Sequence, residues 1–79
     1  MTQYSPYFDD PVIPGKKHAV IMVDGRHDIE PVEWRGKLSY FPSYSRNGKV
    51  WKSYTRPEGG KVRFDTEQEA REYIASQPF

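Results

Sequence analysis

Seventy-nine residues allow one small domain, and a chain of this size buries only about 60% of the surface its unfolded form exposes. With no cysteine, neither a disulfide framework nor a thiolate zinc site is available, so apolar packing or a partner must hold the fold. Aromatic residues at 15% argue against disorder despite a mean hydropathy of −0.91, no apolar run reaches membrane-spanning length, and Met1-Thr2-Gln3-Tyr4 lacks the features of a signal peptide. A soluble cytoplasmic binding module is the expectation.

Residues 1–15 contain Pro6, Pro11, Pro14 and Gly15 with no sustained period and read as an extended arm. Its Tyr4, Tyr7 and Phe8 would dock on the body or on a partner. Residues 16–79 read as a single α+β domain. His18 to Val23 is a β-branched apolar run bounded by Asp24-Gly25, a pair that favours a two-residue turn with positive φ. A hairpin closed there sets Met22 opposite His27 and Val20 opposite Ile29. Its return strand is interrupted by Pro31, which cannot donate to a ladder. Val32 and Trp34 resume the alternation as far as Gly36.

Lys37 to Arg46 and Lys49 to Arg56 flank Asn47-Gly48, the strongest short hairpin signal. A two-residue turn there pairs Tyr44 with Trp51 and Phe41 with Tyr54. Leu38, Tyr40, Tyr44 and Trp51 then form the core face, and Phe41, Val50, Lys52, Tyr54 and Arg56 the other. Pro42 marks an edge or a bulge. After the turn Pro57-Glu58-Gly59-Gly60, a short strand ends at Phe64. Thr66 to Glu69 fits a capping box, and Ala70, Tyr73 and Ile74 at helical spacing place a helix on the sheet, ended by Pro78. The whole reads as an antiparallel meander of four to five strands, with two hairpins and one C-terminal helix.

Net charge is +1, but it is segregated: residues 1–34 carry −3, residues 35–63 carry +7 and residues 64–79 carry −3. The basic middle is also rich in rings. Cations neutralise phosphate oxygens, and planar groups stack on bases. This makes Phe41, Arg46, Lys49, Lys52, Tyr54, Arg56, Lys61 and Arg63 the candidate contacts for a nucleic acid or a protein partner. The other reading of the same run is a solvated hairpin whose counter-charges come from the acidic helix.

Enzymatic chemistry is thinly supplied. His18 and His27 stand near Asp24, Asp28 and Glu30, but adjacent strand residues face opposite ways, so His27 and Asp28 do not ligate one metal together. No serine has a histidine positioned as its base, and no glycine-rich loop cradles phosphate. No catalytic residue, metal, cofactor, small-molecule substrate or membrane partner is expected.

From Lys49 to Ser76 the order is hairpin strand, turn, short basic strand and then Phe64-Asp65-Thr66-Glu67-Gln68-Glu69-Ala70. This resembles the arm-type DNA-binding domain of tyrosine integrases and the similar plant AP2 domain, in which a three-stranded sheet on one helix enters the major groove. The resemblance covers about half the chain and implies DNA contacts by Lys52, Arg56, Lys61 and Arg63. A free-standing domain of this kind also resembles the small accessory proteins of phages and mobile elements, some of which inhibit host factors. The expected function is a nucleic-acid-binding module acting on DNA or RNA. Its alternative is a small inhibitor or adaptor that blocks a host protein in the host cytoplasm.

Overall fold

The computed structural model describes residues 3–4 and 7–77. The chain runs through β1 (Gln3–Tyr4), β2 (Phe8–Asp9), β3 (Lys16–His18), β4 (Ile21–Met22), β5 (His27–Trp34), β6 (Lys37–Tyr44), β7 (Lys52–Ser53) and α1 (Glu67–Ala75). All strand pairs are antiparallel and form one seven-stranded sheet with a single helix packed on it. The α+β class therefore holds. The strand number exceeds the expected four to five because the N-terminal arm adds β1 and β2 to the sheet.

The spine is the β5–β6 hairpin, paired continuously from His27↔Tyr44 to Trp34↔Lys37. Its turn is Arg35-Gly36, with φ of 54° and 74°. Positive φ at both central residues matches the right-handed twist of the flanking strands. Sequence reasoning missed this hairpin, because Pro31 and Pro42 lie inside its strands. Both are accommodated by direction. The Pro31 carbonyl accepts from the Ala19 N–H at 3.0 Å, so its nitrogen faces the seam where β5 changes partner from β3 to β4. The Pro42 carbonyl accepts from the Tyr54 N–H at 3.2 Å, so its nitrogen points away from β5. Neither removes a bond from the central ladder.

Both expected hairpins exist, and each is shifted by one residue. Ile21 pairs with Ile29 and Met22 with Asp28, rather than Val20 with Ile29 and Met22 with His27. Tyr44 pairs with Lys52 rather than Trp51. In each case a side chain widens the turn. Asp24 Oδ1 accepts from the Arg26 N–H at 2.7 Å, and Gly25 stays out of the left-handed region. Asn47 Oδ1 accepts from the N–H groups of Lys49 at 2.8 Å and Val50 at 3.0 Å, while the Gly48 N–H donates to Ser45 Oγ at 2.8 Å. Asp and Asn compete with the ladder in this way, closing a loop around their own carbonyl oxygens.

The helix begins where expected. Thr66 Oγ1 accepts from the Glu69 N–H at 3.2 Å and donates to Glu69 Oε1 at 3.0 Å, with Glu67 and Glu69 in the first turn. Ala70 and Ile74 are buried against Ile21 and Ile29, with Val23, Tyr40 and Phe64 around them. The helix ends at Ala75; Pro78 lies outside the described residues. No helix among the described residues is long and apolar enough to cross a membrane.

Candidate nucleic-acid interface

Because strand side chains alternate, the register divides the sheet into two faces. The helix covers the face carrying Ile21, Ile29 and Tyr40. The opposite face has no helix or second sheet on it among the described residues. Across it, cross-strand pairs form rows. Lys16, Trp34 and Lys37 make the first row, and His18, Val32 and Ser39 the second. Glu30 and Phe41 make the third, and Asp28, Ser43 and Ser53 the fourth.

The segment returning toward the helix adds two cations. Arg63 donates from Nη1 to Ser39 Oγ at 2.9 Å, and Lys61 lines a shallow cavity of about 260 Å³ with Lys16, His18, Glu30, Val32 and Phe41. A neighbouring hollow is lined by Lys16, Val32, Trp34, Lys37, Ser39 and Phe41. Lys16, Lys37 and Lys61 form no ion pair among the described residues, and the Arg63–Asp65 contact of 3.6 Å is an exposed, weak one. Trp34 is 37% exposed, and the Arg35 guanidinium sits 4.5 Å from its ring centre. The result is a basic platform with two rings, Trp34 and Phe41.

One side of this face is closed by the arm. His18 Nδ1 lies 2.6 Å from Glu30 Oε2, and Nε2 lies 2.6 Å from Asp10 Oδ2. Donating both bonds at once takes a proton on each nitrogen. Phe8 stacks on the same imidazole at 5.6 Å. The N–H groups of Ile13 and Val12, at 2.7 and 2.8 Å, hold the Asp10 carboxyl down at about 2, with the His18 bond adding to the effect. The carboxylates grip the ring from its two nitrogens rather than converging on one point, and among the described residues no group of ligands fit for a metal ion is found. At the far end of the face, burial pushes Asp28 up, against a hydrogen bond from Ser43.

The eight residues expected from sequence do not form one patch. Phe41, Lys61 and Arg63 lie on the uncovered face. Lys52 stands beside Tyr44 on the other side, and with Arg46, Asn47, Val50 and Tyr44 it lines a cleft of about 540 Å³. Lys49 extends from the same loop. Arg56 lies at the third turn, 3.8 Å from Glu58.

Tyr54 is corrected outright: its ring packs on Tyr44 at 4.7 Å and edge-on to Tyr73 at 5.3 Å, so it belongs to the helix side and not to a contact surface. The one-residue shift is the cause, since it carries Tyr54 to the opposite face from Phe41. Leu38, Tyr40 and Tyr44 do take the helix side, whereas Trp51 falls in the loop before β7. Sequence reasoning missed Lys16, Trp34 and Lys37. The signal for them was Arg35-Gly36 between two alternating runs, which sets Trp34 opposite Lys37. No protein family, curated protein or solved structure matches this chain.

Proposed function

We propose that this chain is a non-enzymatic nucleic-acid-binding module that holds single-stranded DNA or RNA on the uncovered sheet face. One observation carries the reading: Trp34 and Phe41 stand on that face among Lys16, Lys37, Lys61 and Arg63, with no carboxylate in the first two rows. Rings on an open sheet offer stacking surface to unpaired bases, and the cations meet the phosphates. Glu30 pairs with Phe41 and lines the same hollow as Lys61, where His18 engages its carboxylate, while Asp28 and Asp10 lie along the border of the platform. His18 has both nitrogens engaged, which supports binding rather than proton transfer as the role of this face.

The test is a fluorescent oligonucleotide titrated at rising salt. Affinity falls log-linearly with a slope of about −0.7 for each phosphate neutralised on a single strand. Lys61→Glu and Trp34→Ala weaken binding. Absence of binding at low salt rejects the proposal. A protein partner is the second reading, favoured by the exposed Phe8 (49%) and Val12 (82%) near the arm. It requires capture of a protein from nuclease-treated lysate, lost on Phe8→Ser and Val12→Ser substitution.

A further inference from the structure

We infer that nucleic-acid binding at the uncovered sheet face is switched by His18, strong on its imidazolium form and weak once the ring gives up a proton. The inference rests on the sheet-face reading and adds the regulation of that site.

The hollow beside Phe41 holds Glu30 as well as Lys16 and Lys61. A bare carboxylate there repels a phosphate backbone, so Glu30 has to be neutralised for the site to work. His18 is the group placed to do so. Its Nδ1 lies 2.6 Å from Glu30 Oε2 and its Nε2 lies 2.6 Å from Asp10 Oδ2, and its side chain is only 13% exposed. Ionised carboxylates only accept, so each ring nitrogen donates and the ring is a cation. Three cations, Lys16, Lys61 and His18, then face the two carboxylates, Glu30 and Asp10. A neutral ring keeps a single N–H. Whichever nitrogen is bared, one carboxylate meets a lone pair, and two cations are left against two anions. The surplus positive charge that draws a phosphate is gone for either tautomer.

The remaining neighbours of the ring are Phe8 on β2, Val32 on β5 and Phe41 on β6, none of them charged. Arg63, on Ser39 of the same row, stays charged throughout. Histidine is the side chain whose ordinary titration spans about pH 5 to 8. The second histidine, His27, sits on the helix side opposite Tyr44, is 3% exposed, and faces Asp24 at 3.2 Å, away from the phosphate path. Asp28, next along the uncovered face of β5, is the rival, since burial pushes its carboxyl up and its ionisation changes affinity in the same direction.

The experiment titrates a fluorescent thymidine oligonucleotide, whose bases and phosphodiesters keep their charge over the range, at fixed low ionic strength. From about pH 6 to about pH 8.5 the affinity falls about tenfold, the worth of one cation against a single strand at low salt. His18→Gln gives a flat profile at the weaker value, and His18→Arg a flat profile at the stronger one, with helix amide signals reporting that each is folded. Calorimetry of the unaltered chain in buffers of different ionisation enthalpy reads proton uptake on binding and needs no variant. Binding that is present but independent of pH, without proton uptake, overturns the inference and leaves the sheet face standing. A pH dependence that survives His18→Gln also overturns it and assigns the effect to Asp28 or His27. No binding at any pH removes both.

Discussion

Phe41 and Tyr54 point to opposite faces of the sheet, although they lie on neighbouring antiparallel segments. Phe41 stands with Lys61 on the uncovered side, and Tyr54 packs on Tyr44 and edge-on to Tyr73 of the helix. Substituting each by leucine separates the two roles. Phe41→Leu weakens oligonucleotide binding about tenfold, the loss of one stacked base, with a near-native melting temperature. Tyr54→Leu lowers stability by about 1–3 kcal/mol and leaves the affinity of the folded fraction unchanged. Thermal melts beside fluorescence anisotropy read both quantities. The reverse pattern removes the face assignment.

The Tyr54 hydroxyl is buried with no hydrogen-bond partner among the described residues, and burial raises its ionisation above the ordinary phenol value. An unsatisfied buried hydroxyl carries its desolvation penalty uncompensated. Tyr54→Phe is therefore expected to be neutral, or more stable by up to about 1 kcal/mol, in urea denaturation. A loss of stability would reveal a partner for that oxygen.

Two glycines test the turns. Gly36 has φ of 74° and open space where a Cβ would stand, so Gly36→Ala has only the backbone cost, about 1–2 kcal/mol. Gly25 is equally open and lies outside the left-handed region, so Gly25→Ala is neutral or slightly stabilising. The equilibrium unfolding of the two variants checks the order. A type I′ turn at Asp24-Gly25 predicts a large cost at Gly25 instead.

Acid should free the arm. The Asp10 carboxyl titrates at about 2 in the fold, below its ordinary 3.8. A carboxyl lowered in this way stabilises docking above pH 3.8, and that contribution is lost as pH falls toward about 2. The Asp10 N–H, which donates to the Lys16 carbonyl at 2.8 Å, should exchange faster through that window. Helix amides should lag behind it. Asp10→Asn is expected to flatten this dependence, and a helix that opens together with the arm would contradict it.

The helix was legible in the sequence because its determinants are local: a threonine cap, acidic residues in the first turn, and Ala70, Tyr73 and Ile74 at helical spacing. The central strands were legible from alternation, whereas β1 and β2 of the arm were not, and the short strand expected to end at Phe64 forms only the isolated Thr55–Lys61 and Tyr40–Phe64 bridges. Register was not, because it depends on whether Asp24 and Asn47 spend their oxygens on the turn, a choice made by hydrogen bonds to N–H groups two or three residues on. Pro31 and Pro42 hid the central hairpin, since a proline reads as a breaker until the direction of its nitrogen is known. The basic run was correctly seen as dense and exposed. Its division between two faces followed from the register, so Phe41, Lys61 and Arg63 stayed together while Arg46, Lys49 and Lys52 parted from them.

Strand β5 serves two masters along one edge, first β4 and then β3, and through them it carries the arm strands β1 and β2. On a ribosome, therefore, the arm strands are made before the strands that hold them. β2 and β1 can pair only once β3 and β4 have emerged, and those two strands gain their own second partner only with β5, whose other edge is satisfied only when Tyr44 follows. During that interval the nascent arm is left to chaperones, or to the vacant strand of a neighbouring copy, and exchange of arms between chains is the misassembly this topology invites.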